Sequence, residues 1–186
     1  MHLLKGDLFN YTTHRLADGS YPGTLPRPDA ICITTNGFVK KNGECVMGRG
    51  CAKRAAELMP GLPEILGNAI SSQGNKVYAH GPLNNIEIVT FPVKPIAESY
   101  KANGSNIVQH MRTKFKPGNR VPGWACKASI GIIITSATQL KQLTDERGWT
   151  KVVLPRPGCG AGELNWDEVY PVLHGILDER FYCITF

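Results

Sequence analysis

Lys151-Val152-Val153-Leu154-Pro155-Arg156-Pro157-Gly158-Cys159-Gly160-Ala161-Gly162-Glu163-Leu164-Asn165-Trp166 is the stretch on which the fold turns. It joins a short, uniformly apolar run to a glycine-rich loop and then to a helical pattern from Asn165 to Glu179. An apolar run without alternation suits a strand covered on both faces. Glycines at a helix start let backbone N–H groups approach an anion closely, and the helix dipole adds attraction. The same order occurs upstream. Ala30-Ile31-Cys32-Ile33-Thr34 reads as a strand, Thr35-Asn36-Gly37 leaves it, and Val46-Met47-Gly48-Arg49-Gly50-Cys51-Ala52 leads into a helical pattern over Gly50 to Leu58.

Outward from these two units, further strand-like runs lie at Ile86 to Phe91, Ser129 to Ile134 and Phe181 to Phe186, with helical patterns at Ala137 to Arg147 and, more weakly, Asn103 to Phe115. Strand and helix alternating along one chain predict an α/β sandwich with a largely parallel or mixed central sheet. Pro22, Pro26 and Pro28, with Gly19 and Gly23, make residues 17–28 an irregular connection, and Lys116 to Gly123 reads as a second loop. The 186 residues, 42% hydrophobic, suit one domain with a core of its own. No apolar run approaches the roughly 18–20 residues that span a bilayer, and Met1-His2-Leu3-Leu4-Lys5-Gly6-Asp7 lacks the features of a signal peptide. A soluble, cytoplasmic protein, monomeric and without a membrane partner, is expected.

Cys32, Cys45, Cys51, Cys126, Cys159 and Cys183 form no pair of C-x-x-C motifs, and three of them sit inside apolar runs, so reduced thiols are expected. No structural zinc spacing joins them to the histidines, and no metal is expected. The formal net charge of +6 is unevenly spread. Between Glu98 and Asp145 there is no acid, while Lys101, Arg112, Lys114, Lys116, Arg120, Lys127 and Lys141 are all cationic. This basic segment, residues 99–144, reads either as a solvated face or as a surface for the phosphates of a nucleic acid or another polyanion.

Ligands of open α/β sheets bind beyond the carboxyl ends of the strands, where both glycine-rich loops fall. Two anion cradles on neighbouring strands suit a diphosphate, although each loop alone also reads as a tight turn. Neither is a Walker A sequence and neither has Rossmann spacing, which disfavours kinases and nicotinamide dehydrogenases.

Four ordered motifs together resemble the macro domains, which bind ADP-ribose. Lys5-Gly6-Asp7-Leu8 is similar to the family's Gly-Asp-Ile/Leu element, Asp29 to Asn36 to its "DAIVNAAN" strand and loop, and Gly48-Arg49-Gly50 to its first glycine loop. Gly158 to Trp166 resembles the "GCGLGGLxW" form of the second loop, most familiar in the branch of terminal ADP-ribose glycohydrolases and DarG-type DNA de-ADP-ribosylating antitoxins. The resemblance implies a three-layer α/β/α sandwich with a mixed central sheet. It further implies that Asp7, with the Leu8 backbone beside it, meets the adenine amine, and that Asn36 binds the distal ribose. On their own, Asp7 also reads as a cap and Asn36 as a turn residue. The backbone amides of Gly48, Arg49, Gly50 and Cys51, and of Gly158, Cys159, Gly160, Ala161 and Gly162, would hold the diphosphate. No cofactor is implied beyond ADP-ribose as ligand or product.

The departures carry as much information. Ile33 stands where the first Asn of "NAAN" would be, Ala52 aligns with the acid of MacroD-type hydrolases, and Gly162 with the acid of the terminal ADP-ribose glycohydrolase. Neither carboxylate mechanism carries over. Phe91-Pro92-Val93-Lys94 is similar to the "NFPTK" element of the DarG-like branch, whose lysine serves in removing ADP-ribose from thymidine in DNA. Lys94, between Pro92 and Pro95, is therefore the expected catalytic residue, as an electrostatic group, a base or an amine nucleophile. A phosphate-binding or solvent-facing lysine is the plainer alternative. Glu163 is the acid nearest the second loop. The leading expectation is hydrolysis of mono-ADP-ribose from a modified target, with DNA or RNA as candidates. A non-catalytic ADP-ribose reader is the alternative, and ADP-ribose 1″-phosphate phosphatase action ranks lower because no histidine stands at the end of the second strand.

Overall fold

The computed structural model describes residues 1–12 and 26–185, so residues 17–25 of the irregular connection expected at 17–28 lie outside the described residues. The elements run β1 (His2–Lys5), β2 (Ala30–Thr35), α1 (Gly50–Leu58), α2 (Leu62–Gln73), β3 (Tyr78–Leu83), β4 (Ile86–Pro92), β5 (Ala97–Ser99), β6 (Arg120–Pro122), α3 (Ile130–Arg147), β7 (Val152–Pro155), α4 (Trp166–Ile176) and β8 (Phe181–Thr185). Six strands form one sheet in the order β1-β8-β7-β2-β4-β3. Every neighbouring pair is parallel except β3 with β4, so the sheet is mixed.

The apolar runs are buried on both faces, as their lack of alternation predicts. Along β2, Ile31 and Ile33 pack with Leu62 and Leu66 of α2, whereas Ala30 and Cys32 pack on the other face with Ala137 and Leu140 of α3 and Val169 and Leu173 of α4. Side chains that alternate by two along a strand thus feed two separate cores, which is the physical content of the three-layer α/β/α sandwich.

Three expectations are corrected. Ser129 to Ile134 is not a strand but the start of α3, with Ser129 at its N-cap position. Ile133, Ser136, Ala137, Leu140 and Thr144 form its buried stripe at helical spacing, while Ile134 is 42% exposed. The pattern expected to be helical from Asn103 to Phe115 yields only a 3-10 stretch, Gln109–Lys114. There the Asn106 amide donates to Glu98 Oε2 and the Ser99 carbonyl and accepts from Lys101 N, and Asn103 accepts from Ser105 N. Such side-chain bonds compete with the helical ladder. The loop expected over Lys116 to Gly123 contains β6, paired antiparallel with β5. Helix α2 has no counterpart in the sequence reading. It carries Pro63 in its first turn and Gly67 in its middle, where a Cβ would meet the Gly43 carbonyl oxygen at 1.9 Å.

Residues 100–127 form a small cap beside the main sheet, with an apolar cluster of Tyr100, Ile107, Val121, Ala125 and Cys126, onto which Met111, Phe115 and Trp124 pack. Lys101, Lys114, Lys116 and Arg120 are exposed on it. No helix among the described residues is long and apolar enough to cross a membrane.

Candidate functional site

A cavity of about 830 Å³ opens at the carboxyl ends of the five parallel strands. Its wall includes Asp7 after β1, Thr34 and Thr35 at the end of β2, Lys94 after β4, Arg156 after β7 and Thr185 at the end of β8. This is where parallel sheets expose strand-end loops and helix N-termini together. Every site residue expected from the sequence lines it: Asp7, Leu8, Asn36, Gly48, Arg49, Gly50, Cys51, Lys94, Gly158, Cys159, Gly160, Ala161 and Gly162.

Both glycine loops line the cavity. Gly50 opens α1 with φ +56°, and Arg49 at the N-cap position makes no side-chain cap bond, so the first turn of α1, which lines the cavity, is left uncapped by that side chain. In the second loop, Glu163 N donates to the Gly160 carbonyl and Leu164 N to the Gly158 carbonyl. The amides of Gly160, Ala161 and Gly162 donate to no backbone oxygen among the described residues. A Cβ on Gly162 would lie 2.5 Å from the Gly158 carbonyl oxygen and 2.6 Å from the Ala128 Cβ, so the turn closes only with glycine there.

Asp7 caps the short 3-10 turn Leu8–Tyr11 by accepting from Phe9 N at 2.9 Å through Oδ1. The cap reading and the ligand reading are compatible, because a carboxylate has a second oxygen. The Asn36 amide is more fully engaged. It donates to the Val46 carbonyl at 2.7 Å and accepts from Phe38 N at 2.9 Å, bracing the start of the first glycine loop. Its turn role is therefore present, with one N–H and one lone pair left over.

Lys94 lies at the cavity floor and is 7% exposed. Its ammonium donates to the Ala161 carbonyl at 2.8 Å in the second loop and to the Trp124 carbonyl at 3.3 Å in the cap. Burial brings its pKa down to about 8. The Cys126 thiol and Glu163 act in the opposite direction, and Arg49 adds to the lowering. The solvent-facing alternative for this lysine is thus excluded, and the phosphate-binding alternative stands beside the catalytic one.

Glu163 adopts a left-handed backbone, φ +57°. Its Oε1 accepts from Gln109 N at 2.8 Å, and its Oε2 lies 3.5 Å from the Lys127 ammonium. Both partners belong to the cap. Glu163 does not line the cavity, so it braces the loop from behind.

Sequence reasoning missed several lining residues. Arg54 and Arg156 add guanidinium groups, so that with Arg49 and Lys94 four cations face a cavity in which Asp7 is the only lining carboxylate among the described residues. Arg156 stacks over the Trp166 ring at 4.7 Å, and its neighbour in the second-loop motif could have drawn attention to it. His110, Met111 and Trp124 arrive from the cap, far away in sequence and without a local signal. The two lining thiols are poor nucleophiles, because burial raises both, Cys159 to about 11. Among the described residues no group of three His, Cys, Asp or Glu could hold a metal ion.

No family model matches the chain, and no curated protein matches it by sequence. Solved structures do. The macrodomain of Thermus aquaticus DarG is 17% identical, with TM-score 0.65, over 100% of this chain and 97% of its own. The macrodomain of Mycobacterium tuberculosis DarG is 16% identical, with TM-score 0.61, over 99% and 97%. Thermosipho africanus DarTG, solved in complex with ADP-ribose, is 16% identical, with TM-score 0.61, over 88% of this chain and 40% of the other. The chain has the macrodomain fold.

Proposed function

We propose that this macrodomain fold binds ADP-ribose in the strand-end cavity and hydrolyses mono-ADP-ribose from a modified target, with nucleic acid as the favoured target class. The observation that carries the reading is the buried Lys94 ammonium in a cavity lined by both glycine loops, where the Gly160, Ala161 and Gly162 amides donate to no backbone oxygen among the described residues. The four facing cations match a diphosphate, and Asp7, with one oxygen uncommitted to its cap, matches the adenine amine. A complex with ADP-ribose of a longer protein, part of which shares this fold, supports the same ligand here. The cap that carries the exposed cations also contributes His110, Met111 and Trp124 to the cavity wall, which suits the approach of a phosphodiester chain.

Hydrolysis breaks the bond from the anomeric carbon of the distal ribose to the target atom. Water supplies the new C–O bond, and the departing atom takes up a proton. With no lining carboxylate other than Asp7 among the described residues, Lys94 is the group suited to this step. As an ammonium it stabilises negative charge on the leaving atom. As an amine it accepts the proton of water or attacks the anomeric carbon, and a pKa near 8 leaves both forms populated around neutral pH.

The test incubates the protein in parallel with ADP-ribosylated DNA, ADP-ribosylated protein and ADP-ribose 1″-phosphate. Release of ADP-ribose from the DNA is expected, and release of phosphate alone would point to the phosphatase reading, for which His110 supplies an imidazole at the mouth. A non-catalytic reader is the second reading, favoured by Ala52 and Gly162 standing in the cavity wall where other macro domains carry acids. Tight ADP-ribose binding without turnover of any of the three substrates would establish it.

A further inference from the structure

Glu163 has a left-handed backbone conformation that is costly for a non-glycine residue. Its side chain offsets that cost by joining the second glycine loop to the cap, through Gln109 N and Lys127. Two residues earlier in the same loop, the Ala161 carbonyl accepts from Lys94, whose other acceptor, the Trp124 carbonyl, lies in the same cap. The loop and the cap are therefore bridged twice, once by a cation from the floor and once by an anion from behind.

We infer that Glu163 is a positioning residue, which clamps the second glycine loop to the cap so that the Ala161 and Trp124 carbonyls stay closed around the Lys94 ammonium. Its carboxylate also favours the charged form of that group. Three ionisable groups face Lys94: Arg49 at the head of α1, the Cys126 thiol in the cap and Glu163 in the loop. Burial pushes the Cys126 thiol up to about 11, so it is neutral where Lys94 titrates. Among the described residues, Glu163 is then the only anion opposing Arg49 and burial. The catalytic meaning of this arrangement rests on the reading of Lys94 as the reacting group, but the clamp itself can be measured without turnover.

The experiment follows the Lys94 ε-carbon by NMR in protein carrying 13C-labelled lysine, from about pH 6 to 11. Glu163→Gln keeps an acceptor for Gln109 N but removes the charge, and the Lys94 midpoint is expected to fall by about half a pH unit or more. Glu163→Gly relieves the left-handed backbone and guards against misfolding. It is expected to lower the midpoint at least as far and to speed hydrogen exchange at Gln109 N. Glu163→Asp, which keeps the charge, should fall between Gln and wild type. An unmoved midpoint in both the Gln and Gly variants overturns the inference. If the midpoint moves while the wild type turns over none of the three substrates, the clamp stands and the catalytic reading of Lys94 falls. If the wild type is active, the limb of its pH–rate profile near 8 should lie lower in the Glu163 variants, in step with their midpoints.

Discussion

Replacing Lys94 separates binding from chemistry. Two of the three ammonium hydrogens are committed to the Ala161 and Trp124 carbonyls, at 2.8 and 3.3 Å, which leaves one for a bound ligand. A single hydrogen bond contributes about 1 kcal/mol net, so Lys94→Ala is expected to weaken ADP-ribose only a few-fold by calorimetry. A group acting on the breaking bond contributes more in the transition state than in the ground state. Turnover of the favoured substrate should therefore fall at least about a hundredfold, equivalent to roughly 2.7 kcal/mol. The pH profile fixes the role. With a pKa of about 8, the amine required of a base or nucleophile is only about a tenth populated at pH 7, so kcat/KM should rise with pH through about 8. If the ammonium is the active form, the rate is instead constant below about 8 and falls above it. Lys94→Arg keeps the charge and cannot lose a proton near neutrality, so substantial activity in that variant assigns an electrostatic role. Full activity in Lys94→Ala would refute the placement of this residue in catalysis.

Asp7→Ala and Asn36→Ala are each expected to weaken ADP-ribose by roughly 1–3 kcal/mol in calorimetry, with a further ~1 kcal/mol of stability lost where Asp7 caps its turn. Unchanged affinity in a folded variant would move the ligand away from that residue. Reversing the exposed Lys114, Lys116 and Arg120 to Glu should lower affinity for nucleic acid and flatten its salt dependence while sparing free ADP-ribose, measured by fluorescence anisotropy. Equal DNA affinity before and after would leave the cap as a solvated face. Gly162→Ala places a methyl 2.5 Å from the Gly158 carbonyl oxygen, so a loss of about 1–3 kcal/mol in stability and weaker ADP-ribose binding are expected, and an unaltered melting curve would contradict the closed turn. His80 shares a hydrogen bond with Thr90 Oγ1 at 2.8 Å, and burial holds it down at about 4, so it is neutral in the fold. The unfolded chain takes up that proton near 6.5, so stability should fall as pH drops from about 6.5 toward 4, and His80→Gln should flatten the denaturant-midpoint profile over that window.

The central strands and both glycine loops were legible in the sequence because their signals are local. A continuous apolar run such as Val152-Val153-Leu154 needs cover on both faces wherever it sits, and glycines that precede a helix pattern leave amides free whatever packs around them. Residues 130–134 misled for the same reason. A run of isoleucines satisfies a buried strand and a half-buried helix alike, and only the continuation of the stripe through Ala137 and Leu140 distinguishes them. In residues 103–115 helical spacing was present, but Asn103 and Asn106 spend their side chains on the backbone, an outcome that depends on Glu98 and Ser99 being near.

By itself, then, the sequence determined the layering of an α/β sandwich, the pair of loops fit for an anion and the concentration of positive charge between Glu98 and Asp145. Periodicity, glycine placement and charge are properties of neighbouring residues, so they survive without coordinates. Only the tertiary structure decided which groups share the cavity and in what state. It brought His110 and Trp124 of the cap to the sheet, turned Arg156 onto Trp166, engaged both ends of the Asn36 amide and buried the Lys94 ammonium between two carbonyls from distant segments. Burial and through-space charge depend on residues far apart along the chain, and these move a lysine from its ordinary value to about 8.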